Sequence, residues 1–161
     1  MRYYTGIGSR KTPSHICEKF TRIAEYLQDW TLRSGGADGA DLAFEHGSGH
    51  RDIFLPWRGF NGNHSELYTQ LPEARRLAEK HHPHWENLTE PVRKLMCRNA
   101  HQVLGRNLDD PSTLLICWTE NGEEIGGTAL AIRLAKEYNV PIFNFGAKDL
   151  TQELWKFLKE L

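Results

Sequence analysis

The chain has 161 residues with 20 basic and 21 acidic side chains, a formal net charge of −1. Nothing in that overall charge draws it to nucleic acid or an anionic membrane, so a polyanion would have to be held by a local cluster. Cys17, Cys97 and Cys117 are odd in number and lack CxxC spacing, which argues against a disulfide framework or a structural zinc site. No run approaches the roughly 18 apolar residues of a membrane span, and the opening MRYYTGIGSR has no apolar signal-type stretch. A cytoplasmic protein is expected, with residues 1–161 forming one domain.

Tyr3 to Ile7 reads as a first strand, aromatic and β-branched, stopped at Gly8-Ser9-Arg10. Thr12-Pro13 then predicts an N-cap and an N1 proline for a helix carrying Ile16, Phe20, Ile23 and Leu27 at helical spacing. Trp30 to Ser34 is a second strand running into Gly35-Gly36-Ala37-Asp38-Gly39-Ala40-Asp41, and Leu42 to Glu45 begins a short helix closed by Gly47. Asp52 to Leu55 is a third strand ending at Pro56-Trp57. Arg58 to Leu71 follows, polar and glycine-bearing, the segment expected to be the most mobile. Helices are predicted over Pro72 to His82 and Thr89 to Leu104, the latter with Val92, Leu95, Met96, Asn99 and Val103 on one face. Thr113 to Trp118 and Val140 to Phe145 are apolar runs suited to strands buried on both faces. Gly126-Gly127-Thr128 opens a helix between them, and an amphipathic helix over Leu150 to Leu161 presents Leu154, Phe157, Leu158 and Leu161.

Alternating strands and helices predict an α/β, Rossmann-like doubly wound parallel sheet of about five strands. The long helical insertion around residues 58–108 favours strand order 3-2-1-4-5, with the switch point between the first and fourth strands. Ligands of such sheets bind outside the carboxyl ends of the strands at that point. The turns after strands one, two and four are therefore expected to face one crevice.

Glycine-rich turns that open helices suit phosphate, because missing Cβ atoms allow close approach and free backbone N–H groups point at the anion. Gly8-Ser9-Arg10, Ser34-Gly35-Gly36 and Gly126-Gly127-Thr128 are three such turns at equivalent strand ends. Ser9, Ser34 and Thr128 supply hydroxyls and Arg10 a charge; Arg33 is a weaker candidate, since strand alternation can turn it to the opposite face. Trp57 and Trp118 each follow a strand and are candidates to stack a base or to seal the sheet end, with Arg58 as a phosphate clamp. Asp38, Asp41 and Glu45 fall at helical spacing and are read either as helix-capping charge or as carboxylates for a ribose or for N-glycosidic cleavage. Glu124 is a further carboxylate in a loop. Asn99 interrupts an apolar face and must find a buried partner or reach the crevice. His81-His82-Pro83-His84 lacks the spacing of a helical zinc site, so neither a metal nor a cofactor is expected.

Gly6 to Pro13, Ser34 to Asp41 and Gly127 to Phe143 resemble the three motif blocks of the Rossmann-like domain of DNA-processing protein A. That family belongs to the wider SLOG superfamily, which also holds the lysine-decarboxylase-like phosphoribohydrolases. The resemblance implies a phosphate-bearing, nucleotide-type ligand and a homo-oligomer. Asp38 stands where the DNA-processing proteins carry arginine, which disfavours single-stranded DNA. Ala129-Leu130-Ala131 follows Thr128 without the glutamate of the phosphoribohydrolase motif. The expected function is binding of a small nucleotide or nucleotide-derived signal, with N-glycosidic hydrolysis and single-stranded DNA binding as alternatives.

Overall fold

The structure, a computed structural model, describes residues 2–161. Five parallel strands, β1 (Tyr3–Gly8), β2 (Thr31–Ser34), β3 (His50–Ile53), β4 (Leu114–Trp118) and β5 (Ile142–Asn144), form one sheet in the order β3-β2-β1-β4-β5. This is the Rossmann-like arrangement expected from the sequence, and its switch point lies between β1 and β4, where Gly8 pairs with Trp118. Among the described residues, six α-helices flank the sheet: α1 (Ser14–Tyr26), α2 (Ala40–Gly47), α3 (Pro72–His81), α4 (Glu90–Leu104), α5 (Ala129–Glu137) and α6 (Thr151–Lys159).

Strand alternation divides the core into two layers. Tyr4, Leu32, Leu114 and Ile116 face α1, α2 and α6, where Phe20 and Phe44 stack with ring centroids 4.3 Å apart. Ile7, Leu115 and Cys117 face α3, α4 and α5, against Ala100, Val103, Leu130 and Leu134. Each fully buried Leu, Ile or Phe in these layers contributes about 1.5–3 kcal/mol relative to exposure, so the sheet ends are held by a rigid platform.

Several boundaries differ from the sequence reading for identifiable reasons. Pro13, not Thr12, occupies the N-cap of α1; the Thr12 hydroxyl instead donates to the Ser9 carbonyl at 2.6 Å and braces the first turn. The third strand ends at Ile53, because beyond it the backbone changes partner: Phe54 N–H donates to Ser34 O, while Leu55 N–H donates to Leu67 O at 2.8 Å. The 58–71 segment is tied back to the sheet by Asn61 Nδ2 to Gly36 O (3.0 Å) and Ser65 Oγ to Ile53 O (2.6 Å). At the chain end Leu154 is buried in the core while Leu161 is exposed. No helix of the described residues is long and apolar enough to cross a membrane.

Candidate functional site

A cavity of about 540 Å³ opens at the carboxyl ends of β1 and β4, where a doubly wound sheet places its ligands. The turn Gly8 to Lys11 forms one rim. Ser9 N–H donates to Trp118 O at 3.1 Å, and the Ser9 hydroxyl accepts from Lys11 N–H at 3.0 Å, which fixes the turn against both strands. The exposed side chains of Arg10 and Lys11 line the mouth. The opposite rim is Gly126-Gly127-Thr128, a single helical turn leading into α5. Its first hydrogen bond is Ala129 N–H to Gly126 O, so the N–H groups of Gly127 and Thr128 precede any intrahelical acceptor, and the helix dipole adds partial positive charge there.

Helix α4 forms the back wall, and its polar residues are buried. Arg98, 6 % exposed, donates from Nη1 to the carbonyls of Gly35 and Phe54 and from Nε to Asn99 Oδ1 at 2.9 Å. Asn99 in turn donates from Nδ2 to Gly127 O at 2.7 Å. The interrupted apolar face thus finds its buried partner and reaches the cavity with the same residue. Phe60 closes one side, backed edge-on by Trp57 at 5.5 Å, and the Arg98 guanidinium lies over its ring. Leu95, Met96, Ile125 and Trp118 make the remaining surface apolar.

Of the three glycine turns, the second lies beneath the cavity rather than along it. A Cβ on Gly35 would come within 2.8 Å of Arg98 Nη1 and Asp41 Oδ2 and would collide with Gln102 Nε2; the space left by that glycine is filled by the protein's own polar side chains. Gly39, with φ +83, could not carry a Cβ either, since Ser9 O would stand 2.6 Å away. The second turn packs the first into place. Ser34 donates its hydroxyl to Gly6 O at 2.6 Å, and Ser34, Gly35 and Gly36 do not line the cavity.

The predicted carboxylates separate clearly. Asp41 lies in the cavity wall and is 3 % exposed. Asp38 is exposed and accepts from Asn61 Nδ2, while Glu45 accepts from Asn63 Nδ2; neither lines the cavity. Burial pushes the Asp41 carboxyl up to about 6, against the opposing pull of Arg98 and of the Ala37 and Gly8 backbone N–H groups. The same burial lowers Arg98 to about 10. The pair interacts through space without a direct ion pair among the described residues, because the guanidinium directs its donors to carbonyls and Asn99.

Gly8, Ser9, Arg10, Asn99, Trp118, Gly126, Gly127 and Thr128 come together as the sequence reading grouped them, whereas Trp57 and Arg58 stay on the exposed side of Phe60. Arg33 is turned to the α4 side, where it pairs with Asp110 at 3.0 Å and covers the Tyr3 ring. Glu124 pairs with Lys136 at 2.8 Å and Arg133 at 3.5 Å, and His81 with Glu137. Among the lining residues that the sequence reading did not assign to the site are Arg98, Gln102, Lys11, Phe60, Thr119 and Glu120. An Arg-Asn pair inside an amphipathic helix was the available signal for Arg98.

Compared with known proteins, the chain matches no family model, no curated protein and no solved structure. The cavity's own residues therefore carry the functional argument.

Proposed function

We propose that this cavity binds a small nucleotide or nucleotide-derived signal. The observation that carries the reading is one cavity that joins two glycine turns, the cations Arg10 and Lys11 at its mouth, and an indole, Trp118, between the turns. The backbone N–H groups of the two glycine turns, with Arg10 and Lys11, suit phosphate, although the carboxylate of Glu120 also lines the cavity; the apolar Leu95, Met96, Ile125 and Trp118 suit a planar base. The likeness of the three motif blocks to the SLOG superfamily supports the same ligand class. A half-open cavity of about 540 Å³ with the exposed carboxylate of Asp38 beside it favours a small ligand over a DNA strand.

Calorimetry with the 5′-monophosphates and 5′-diphosphates of adenosine, guanosine, cytidine and uridine tests the reading. Micromolar binding of at least one of them is expected. Failure of all of them to bind at millimolar concentration, together with no phosphate-bearing molecule carried through purification, overturns it. Tight oligonucleotide binding that weakens steeply with salt would favour the DNA alternative instead.

A second reading, N-glycosidic hydrolysis, is favoured by one observation: Asp41 is a buried carboxyl in the cavity whose proton affinity lies near neutrality, the property required of a general acid or base. Release of free base from a nucleoside monophosphate, abolished by Asp41→Asn, is the expected result for that activity. Release undiminished in the variant removes Asp41 from the chemistry.

A further inference from the structure

Helix α4 presents Leu95, Asn99 and Gln102 to the cavity at helical spacing. The polar groups beside Gln102 are spent: Arg98 donates to Gly35 O, Phe54 O and Asn99 Oδ1, and Asn99 donates to Gly127 O. Gln102 differs. It is 2 % exposed, and its backbone carbonyl accepts from the Thr5 hydroxyl at 2.6 Å, but its side-chain amide has no hydrogen-bond partner among the described residues. Nor are the amide atoms sealed, as the partnerless Tyr4 hydroxyl, Arg33 Nε and Asp41 Oδ1 are; they open on the cavity. A carboxamide left unmatched at this depth is costly, and buried polar groups are normally satisfied by something.

We infer that the Gln102 side chain reads the edge of the ligand's base, and that this contact makes the site discriminate between amino bases (adenine, cytosine) and keto bases (guanine, uracil). The inference rests on the nucleotide reading above and specifies what that reading leaves open.

Depth assigns the contact to the base. Arg10 and Lys11 are exposed at the mouth, as are Gly126 and Gly127 on the opposite rim, so a phosphate held by them sits outermost. Gln102 lies farther in, its Nε2 packed against Gly35 just beyond β2. The part of a nucleotide that reaches inward from phosphate and sugar is the base, and Leu95 and Met96 of the same helix offer it apolar walls. A carboxamide carries an NH2 donor beside a carbonyl acceptor. An amino base offers an exocyclic donor beside a ring-nitrogen acceptor, whereas a keto base offers an exocyclic acceptor beside a ring N–H. A side chain packed as closely as Gln102 holds its amide one way round, so it matches one order and opposes the other.

The test takes the tightest-binding member of the eight-nucleotide panel and the nucleotide of the same ring size with the opposite edge, adenosine against guanosine or cytidine against uridine. Their affinities are compared on the unmodified protein and on Gln102→Met, with ribose 5-phosphate as the baseless control. A bidentate amide–base contact predicts a difference of at least about tenfold within the pair. In the variant, which keeps the volume but loses both polar atoms, that difference is expected to collapse toward one while ribose 5-phosphate binds as before. Equal affinity within the pair on the unmodified protein overturns the inference and leaves the nucleotide reading standing. So does a variant that keeps the ratio, or that weakens ribose 5-phosphate as much as the nucleotides, because a merely structural role would do that. Should the variant not fold, the comparison on the unmodified protein still decides. Absence of binding by any member of the panel removes the nucleotide reading and this inference with it.

Discussion

The guanidinium of Arg98 is seated against the bare Cα of Gly35, with Nη1 donating to the Gly35 carbonyl and no room between them for a methyl group. Gly35→Ala is therefore expected to push on Arg98, Gln102 and Asp41 together and to destabilise the fold by about 1–3 kcal/mol, the usual cost of overpacking. Urea denaturation measures this, and an unchanged midpoint would show that the three side chains rearrange freely.

Gly127 provides the contrast. A Cβ there would meet nothing nearer than Met96 Cε at 3.9 Å, so Gly127→Ala should leave the thermal midpoint within about 2 °C of the parent, as expected for an unstrained substitution. The added methyl would stand at the anion-facing rim, and nucleotide affinity should fall about tenfold or more, a loss of about 1.4 kcal/mol. Loss of stability with affinity intact would reverse the roles assigned to the two turns.

Removing Arg98 tests whether α4 anchors the strand ends. Arg98→Met keeps the apolar stem but strips the donors from Gly35 O, Phe54 O and Asn99 Oδ1 and leaves the Asp41 carboxylate without its buried counter-charge. Deleting one member of such a set costs about 3–5 kcal/mol. A loss well under about 1 kcal/mol, the scale of a surface contact, would mean that these bonds are readily replaced by water.

The Asp41 carboxyl gives a pH signature of unusual sign. Its affinity for a proton is raised from the ordinary 3.8 to about 6 in the folded chain, so the folded state holds that proton more tightly than the unfolded one. Its contribution to stability is greatest below about pH 4 and is lost as the pH rises through about 6. The amide introduced by Asp41→Asn cannot titrate, hence the stability of that variant relative to the parent should climb between about pH 4 and 6 and then level off. The climb is bounded by about 3 kcal/mol, at about 1.4 kcal/mol for each tenfold change in proton affinity. A stability difference that stays flat across that window would contradict a buried, proton-avid Asp41.

The strand order and the location of the cavity were legible because they follow from element order and the long crossover through α3 and α4. The role of each glycine turn was not. All three turns look alike in sequence, yet Gly127 faces open space while Gly35 is covered by Arg98, Gln102 and Asp41; that difference is set largely by side chains arriving from α4, far along the chain. The same long-range packing separates Asp41 from Asp38 and Glu45, since a helical spacing relates the three without saying which of them a distant arginine will enclose. Asn99 was legible as an anomaly on an apolar face, but its two hydrogen bonds, one accepted from Arg98 and one donated to Gly127, required the third dimension. Thr12 was misplaced by one position because capping statistics describe a hydroxyl's local options and not its reach back to Ser9.

Through two consecutive residues, α4 holds the carbonyls of Gly35, Phe54 and Gly127, that is, the backbone just beyond β2 and β3 and the turn that opens α5. The ordering entropy of these segments is thus lost when the chain folds, before any ligand arrives. On the proposed reading, binding would then have little reorganisation left to complete, because the crevice takes its shape when the chain folds.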